Sequence, residues 1–152
     1  SEKGVATEGG HIDADLILFM PGLTGPDWAL ESGLKLSPGG FFQADAFCRA
    51  DGVERVFVAG DAGSFPGPDW MPKQAHMADL QAKAAAENLS RALEGKPPAA
   101  RFKIELICIV DTIDKGILVY RDLKRSWLLP SSRLFHWAKR YFEGHYLKEF
   151  RR

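Results

Sequence analysis

The chain is short of most of the features that assign a protein to a class at sight. It has two cysteines, Cys48 and Cys108, in 152 residues, which excludes a disulfide-stapled scaffold and a cysteine-rich zinc site. Its four histidines, His11, His76, His136 and His145, show no metal-ligand spacing with one another or with the cysteines. No apolar run approaches the roughly 18 residues of a membrane-crossing helix, and no leader pattern is legible at the start. There is no G-x-G-x-x-G and no phosphate loop, so neither familiar device for holding a nucleotide pyrophosphate is present. Charge of one sign is not in excess: 20 Lys and Arg face 20 Asp and Glu. A global basic field asking for nucleic acid is thereby excluded. Internal repeats and low-complexity segments are absent as well.

What is present is ordinary in bulk and uneven in detail. Apolar residues make up 45% and charged residues 26%, as in soluble globular domains long enough to bury a core. Residues 121–152 carry nine basic and three acidic side chains, net +6, while residues 1–120 carry eleven basic and seventeen acidic, net −6. The basic end is aromatic too, so a membrane surface or a partner is to be sought there.

Hydropathy patterning predicts an α/β chain. Residues 1–12 are polar and Gly-rich and read as a frayed strand or hairpin. The run from Asp15 to Met20, stopped by Pro21-Gly22, predicts a buried strand. One or two helical turns follow Asp27, and Phe41 to Asp45 predicts a strand after the Pro38-Gly39-Gly40 turn. Arg55 to Ala59 predicts a second buried strand ending at Gly60-Asp61. After the Gly/Pro-rich loop 62–72 comes the longest helix, from Lys73 to Leu93, stopped by Gly95 and Pro97-Pro98. Segments 102–110 and 116–120 predict a hairpin, and 131–150 a final helix.

Three places can carry chemistry. A strand that stops at Gly60-Asp61 sets a carboxylate at the carboxyl end of a sheet, where open α/β sheets bind ligands; a plain turn aspartate has the same local pattern. The helix beginning at Pro72-Lys73 offers unpaired N–H groups and the positive end of its dipole, which favour negative charge; an ordinary core helix with a proline in its first turn reads alike. Cys108 lies in Ile107-Cys108-Ile109-Val110, where a cysteine is on its own more often a small inert hydrophobe than a nucleophile. The same holds more strongly for Cys48. In the tail, Leu134, Phe135, Ala138, Tyr141, Phe142, Tyr146 and Phe150 share a broad helical face, with Arg133, Arg140 and Arg151 opposite. That pattern suits an interfacial membrane helix and equally a helix packed on its own domain.

Taken together, Arg55–Asp61, Pro72–Leu89, Cys108–Asp111 and Trp137–Leu147 resemble the C-terminal part of the sulfide:quinone oxidoreductases. These belong to the two-dinucleotide-binding-domain flavoproteins of the pyridine nucleotide–disulfide oxidoreductase superfamily. The resemblance covers residues 13–150. It implies a partial FAD-binding fold over 1–100 and a C-terminal hairpin and amphipathic helix over 101–152, the quinone and membrane segment. It implies that Gly60 and Asp61 reach the ribityl chain of FAD and that Lys73, Gln74 and Ala75 open a helix beside the flavin ring. Related NADH dehydrogenases carry an Ala-Gln pair early in this helix, where this chain has Ala75-His76. It implies a redox role for Cys108, in the family's Cys-x-x-Asp context, and a quinone wall that includes Ile107, Tyr141 and Phe142.

The implied reaction is two-electron oxidation of sulfide with reduction of quinone. Sulfide attacks a disulfide or polysulfide bridge that involves Cys108, and electrons pass through FAD to quinone. The implied place is a membrane surface, contacted peripherally, with the side left open. The family's Gly-rich FAD motif, NAD-like domain and earlier cysteines would precede Ser1. The expectation is therefore a chain that is about the last third of the enzyme and inactive alone, and turnover by the purified chain would contradict it. Strands without their neighbours are exposed edges, so self-association is expected, and a concentration-independent monomer in light scattering would oppose it. Two alternatives stay open. One is another flavoprotein dehydrogenase, type II NADH dehydrogenase-like or flavocytochrome sulfide dehydrogenase-like, with Cys108 structural. The other is a membrane-docking or interaction module.

Overall fold

A computed structural model describes residues 4–149, so Phe150 and Arg151 of the expected amphipathic face lie outside the described residues. The chain opens with a hairpin of β1 (Gly4–Thr7) and β2 (Gly10–Asp13), paired antiparallel with Val5 opposite Ile12. A 3₁₀ turn at Asp27–Ser32 ends on Gly33 in the left-handed region. β3 (Phe42–Gln43) and β4 (Gly63–Ser64) then pair in parallel. Around them a small core forms from Ala29, Phe42, Ala44, Ala50 and Val58, with Leu34, Leu36, Val56 and Phe65 packed against it.

Helix α1 (Ala75–Leu93) is rich in alanine, the best helix former. Its buried residues are Met77, Gln81, Ala84, Ala85 and Asn88. They recur at three- and four-residue spacing and make one stripe. Ala84 and Ala85 let the helix come close to Cys48, Phe57, Phe65 and Phe102. The helix stops in a Schellman turn: Gly95, at φ +71°, donates to Ala92 O, and Lys96 N donates to Arg91 O. Asn88 is fully buried and every hydrogen-bonding position of its amide is used. Its Nδ2 donates to Phe47 O at 2.9 Å and Ala100 O at 2.8 Å, and its Oδ1 accepts from Ala99 N and Ala100 N at 2.9 Å each. One side chain thus ties the helix to the turn before it and to the segment after it.

The C-terminal part is an antiparallel meander of β5 (Glu105–Asp111), β6 (Gly116–Asp122) and β7 (Ser126–Leu128), in that order, with α2 (Arg133–Glu149) laid against β5 and β6. Register sets Glu105 opposite Asp122, Cys108 opposite Val119, and Val119 opposite Leu128. Side chains alternate between sheet faces. Glu105, Ile107, Ile109 and Asp111 therefore share one face, and Leu106, Cys108 and Val110 the other. Gly116 is where α2 meets the sheet: a Cβ there would lie 2.8 Å from Ile109 Cγ2 and 3.0 Å from His136 N.

A polar contact fixes α2 as well. His136 Nδ1 lies 2.8 Å from Asp111 Oδ1. This hydrogen bond holds the Asp111 carboxyl below its ordinary value of 3.8, and the charges of His136 and Lys139 act the same way. A carboxyl depressed in the folded state stabilises it above the unfolded pKa, and that contribution is lost as pH falls through the lower folded value. Attachment of α2 should therefore weaken as pH drops below 3.8. In urea titrations at a series of acid pH values, Asp111→Asn should flatten that limb of the stability curve. Curves that superpose with the parent's would show that the pair contributes nothing.

Three sequence expectations need correction. Asp15 to Met20 is not a buried strand: the segment has no ladder partner among the described residues, and Phe19 is 84% and Met20 90% exposed. An apolar run acquires strand geometry only where a neighbour takes up its N–H and C=O groups, and hydropathy does not report whether one is there. Arg55 to Ala59 forms no ladder, and Arg55 lies in a bend. The segment is held by an isolated bridge from Phe57 to Arg49 and by Val58 N donating to Cys48 O. The helix expected from Lys73 begins at Ala75, because Gln74 is still extended as its N-cap. The hairpin gains a third strand at 126–128, where the sequence showed only apolar bulk.

Candidate functional site

Gly60, Asp61, Lys73 and Gln74 come together in one cavity of about 120 Å³, whose other walls include Ser64, Phe65, Met71, Met77 and Gln81. Gly60 turns the chain into it at φ +68°, and a Cβ there would sit 3.3 Å from Ala78 Cβ. Both facts favour glycine. Gln81 supports the turn from the helix: its buried Oε1 accepts from Gly60 N at 2.8 Å. The Asp61 side chain is exposed.

Lys73 closes the loop that follows. Its Nζ donates to Asp61 O at 2.8 Å and Gly63 O at 2.6 Å and lies 3.9 Å from the Phe41 ring centroid. Burial pushes the ammonium's pKa down, and the charge of Asp61 opposes that. Lys73 thus serves first as a clamp between the Gly60-Asp61 turn and the start of α1, with its positive charge at the cavity wall.

Gln74 does not cap its own helix. Its Nε2 donates instead to Ile107 O at 3.3 Å, on β5. The first-turn N–H groups of α1, beginning at Ala75, are thereby left without a side-chain acceptor. Two residues further along in the same contact, His76 Nε2 meets Glu105 Oε1 at 2.9 Å. Lys103, and secondarily His76, holds the Glu105 carboxyl below its ordinary value. The start of α1 is thus docked on the strand that carries Cys108.

The two thiols differ sharply, and both are free. Cys48 is fully buried at φ +61°, its Sγ donates to Gln81 O at 3.5 Å, and burial, with Asp45 nearby, pushes its pKa up to about 12. A thiol so placed is inert. Cys108 is half-exposed, on the sheet face opposite to that of Ile107. Ile107, Tyr141 and Phe142 are all exposed, Tyr141 and Phe142 on α2 at 79% and 62%, and none of the three lines the Gly60 cavity. α2 does reach α1, since Tyr146 OH donates to Asp79 Oδ2 at 3.3 Å.

Sequence reasoning missed Gln81, Glu105 and the bridging part played by Gln74. A signal for Gln81 existed: with Asn88 it is polar in the stripe that otherwise holds Met77, Ala84 and Ala85. Among the described residues no group of three His, Cys, Asp or Glu side chains is placed to hold a metal ion, and no helix is long and apolar enough to cross a membrane.

The chain is thus a mixed α/β protein in which a Gly-Asp turn and a helix start meet a cysteine-bearing strand. No protein-family model and no curated protein sequence matches it. Among solved structures it is similar to the sulfide:quinone oxidoreductase of the hyperthermophilic bacterium Aquifex aeolicus, with a TM-score of 0.84 and 20% identity over 99% of this chain and 39% of that one. The chain has the fold of part of that enzyme and spans about two fifths of its length. The likeness is consistent with the C-terminal part to which four sequence segments also point.

Proposed function

We propose that the chain is the C-terminal part of an FAD-dependent sulfide:quinone oxidoreductase. Residues 1–100 serve the flavin side, and residues 101–152 form the sulfur, quinone and membrane segment. The observation that carries the reading is the Gln74 bridge, which sets the Gly60-Asp61 cavity and the Cys108 strand side by side.

The residues fit a flavin at one edge. Gly60 leaves room for a close approach, the exposed Asp61 carboxylate can accept from ribityl hydroxyls, and the uncapped start of α1 with Lys73 favours negative charge. At about 120 Å³ the cavity is smaller than the ~300 Å³ at which small-molecule sites begin, so these residues hold an edge of the cofactor and the rest of it is held elsewhere. FAD, when bound, supplies two-electron transfer between sulfide sulfur and quinone. Cys108 holds the sulfur being oxidised, in a disulfide or polysulfide bridge whose other sulfur is not that of the sealed Cys48. Ile107, Tyr141 and Phe142 offer apolar surface to quinone. The exposed aromatic face of α2, with Arg133 and Arg140 on the helix, suits peripheral contact with a membrane.

The cavity assignment is tested in the intact flavoprotein by Asp61→Ala. Flavin fluorescence after desalting should show retention weakened about tenfold, the loss expected for one charge-assisted hydrogen bond. Retention equal to the parent's would remove Asp61 from the site.

A further inference from the structure

A second cavity, of about 560 Å³, shares no lining residue with the first and is lined by Ala46, Pro66, Arg101–Ile104 and Asp122–Lys124. Its volume falls within the range of small-molecule sites, and the reaction proposed above does not use it. The floor is apolar, from Ala46, Pro66, Phe102, Ile104 and Leu123. The rim is cationic, from Arg101, Lys103 and Lys124.

The charges are not equivalent. Lys103 is paired with Glu105. Both oxygens of Asp122 are engaged: Oδ2 accepts from Tyr120 OH, and Oδ1 from Lys124 N and Arg125 N, each at 2.7 Å. Arg101 rests on the Phe47 ring, 4.5 Å from its centroid. Among the described residues neither Arg101 nor Lys124 is paired with a carboxylate. Two unpaired cations over an apolar floor match an anion that carries a hydrocarbon chain. The neighbouring surface points to its source. Leu123, Trp127 and Leu128 are exposed on the β6–β7 turn and β7, interleaved with Lys124 and Arg125. Exposed tryptophan and leucine among basic residues is the composition of a membrane-interface contact.

We infer that this cavity binds one anionic phospholipid of the membrane surface. Arg101 and Lys124 hold the headgroup phosphate, and the first methylenes lie on Phe102, Ile104 and Leu123. The site is separate from the aromatic face of α2 and from the Gly60 cavity, so it stands or falls independently of the redox reading.

The test is co-sedimentation with vesicles of phosphatidylcholine, with and without phosphatidylglycerol. Each headgroup-bound cation is worth about fivefold in affinity, roughly thirtyfold for two. Arg101→Gln with Lys124→Gln should abolish most of the gain that phosphatidylglycerol gives. Ala46→Trp fills the cavity at unchanged charge and should abolish it too, with the fold checked by circular dichroism. Lys83→Gln with Lys115→Gln removes the same charge at two exposed positions outside the cavity and off α2 and should leave most of the gain. A parent-like gain in a folded Ala46→Trp protein overturns the site, as does an equal loss in the two double variants. If Ala46→Trp does not fold, the contrast between the double variants decides alone.

Discussion

Replacing Cys108 with serine should reduce sulfide-dependent quinone reduction by the intact flavoprotein to the uncatalysed level, while flavin retention stays that of the parent. The substitution exchanges one atom for a slightly smaller one on a half-exposed strand position, opposite Val119 and off the face that carries the α1 and α2 contacts. Little packing is lost, so the effect is chemical. An alcohol neither forms a sulfur–sulfur bond nor leaves one as a thiolate does. Cys48→Ser is the control. It alters a buried site in the left-handed region, so it should change stability and spare the chemistry. Sulfide oxidation that survives Cys108→Ser would return Cys108 to a structural role and favour another flavoprotein dehydrogenase.

The largest effect on stability should come from Asn88→Ala. Four backbone groups, Phe47 O, Ala99 N, Ala100 N and Ala100 O, lose their partner, the amide of the fully buried Asn88. A buried polar group left unsatisfied costs about 1–3 kcal/mol. Local relaxation and water recover part of the total, so about 3–5 kcal/mol is expected, at the upper end for a single substitution. In a chain of this size that lowers the unfolding midpoint by roughly 10 °C. Thermal unfolding followed by circular dichroism checks it, with the exposed neighbour Leu89→Ala as reference. A midpoint within a degree or two of the reference would mean that the amide is dispensable.

The two helices and the β5–β6 hairpin were legible because their signals are local. Alanine content and three- to four-residue periodicity mark α1, an apolar stripe marks α2, and two β-rich runs around a short polar loop mark the hairpin. What escaped depends on distant partners. Asp15 to Met20 has the hydropathy of a buried strand and no neighbour to pair with among the described residues. Gly60-Asp61 was readable as a turn at the end of an extended segment, yet nothing local showed that it would line a cavity, that Gln81 would hold it or that Gln74 would leave its helix for Ile107 O. Asn88 in an alanine-rich helix looks like any solvated asparagine until the 97–102 segment folds back over it. Trp127 and Leu128 read as loose apolar bulk because three residues are too few to show a period.

The burial of Cys48 has a practical consequence. A thiolate-seeking label such as a maleimide meets two cysteines of which one is sealed, with its pKa pushed to about 12. The folded chain therefore has a single attachment point, Cys108, without any engineered substitution. A fluorophore or spin label there would report from the strand that Gln74 joins to the Gly60 cavity. Appearance of a second reacting equivalent would time the opening of the α1 core.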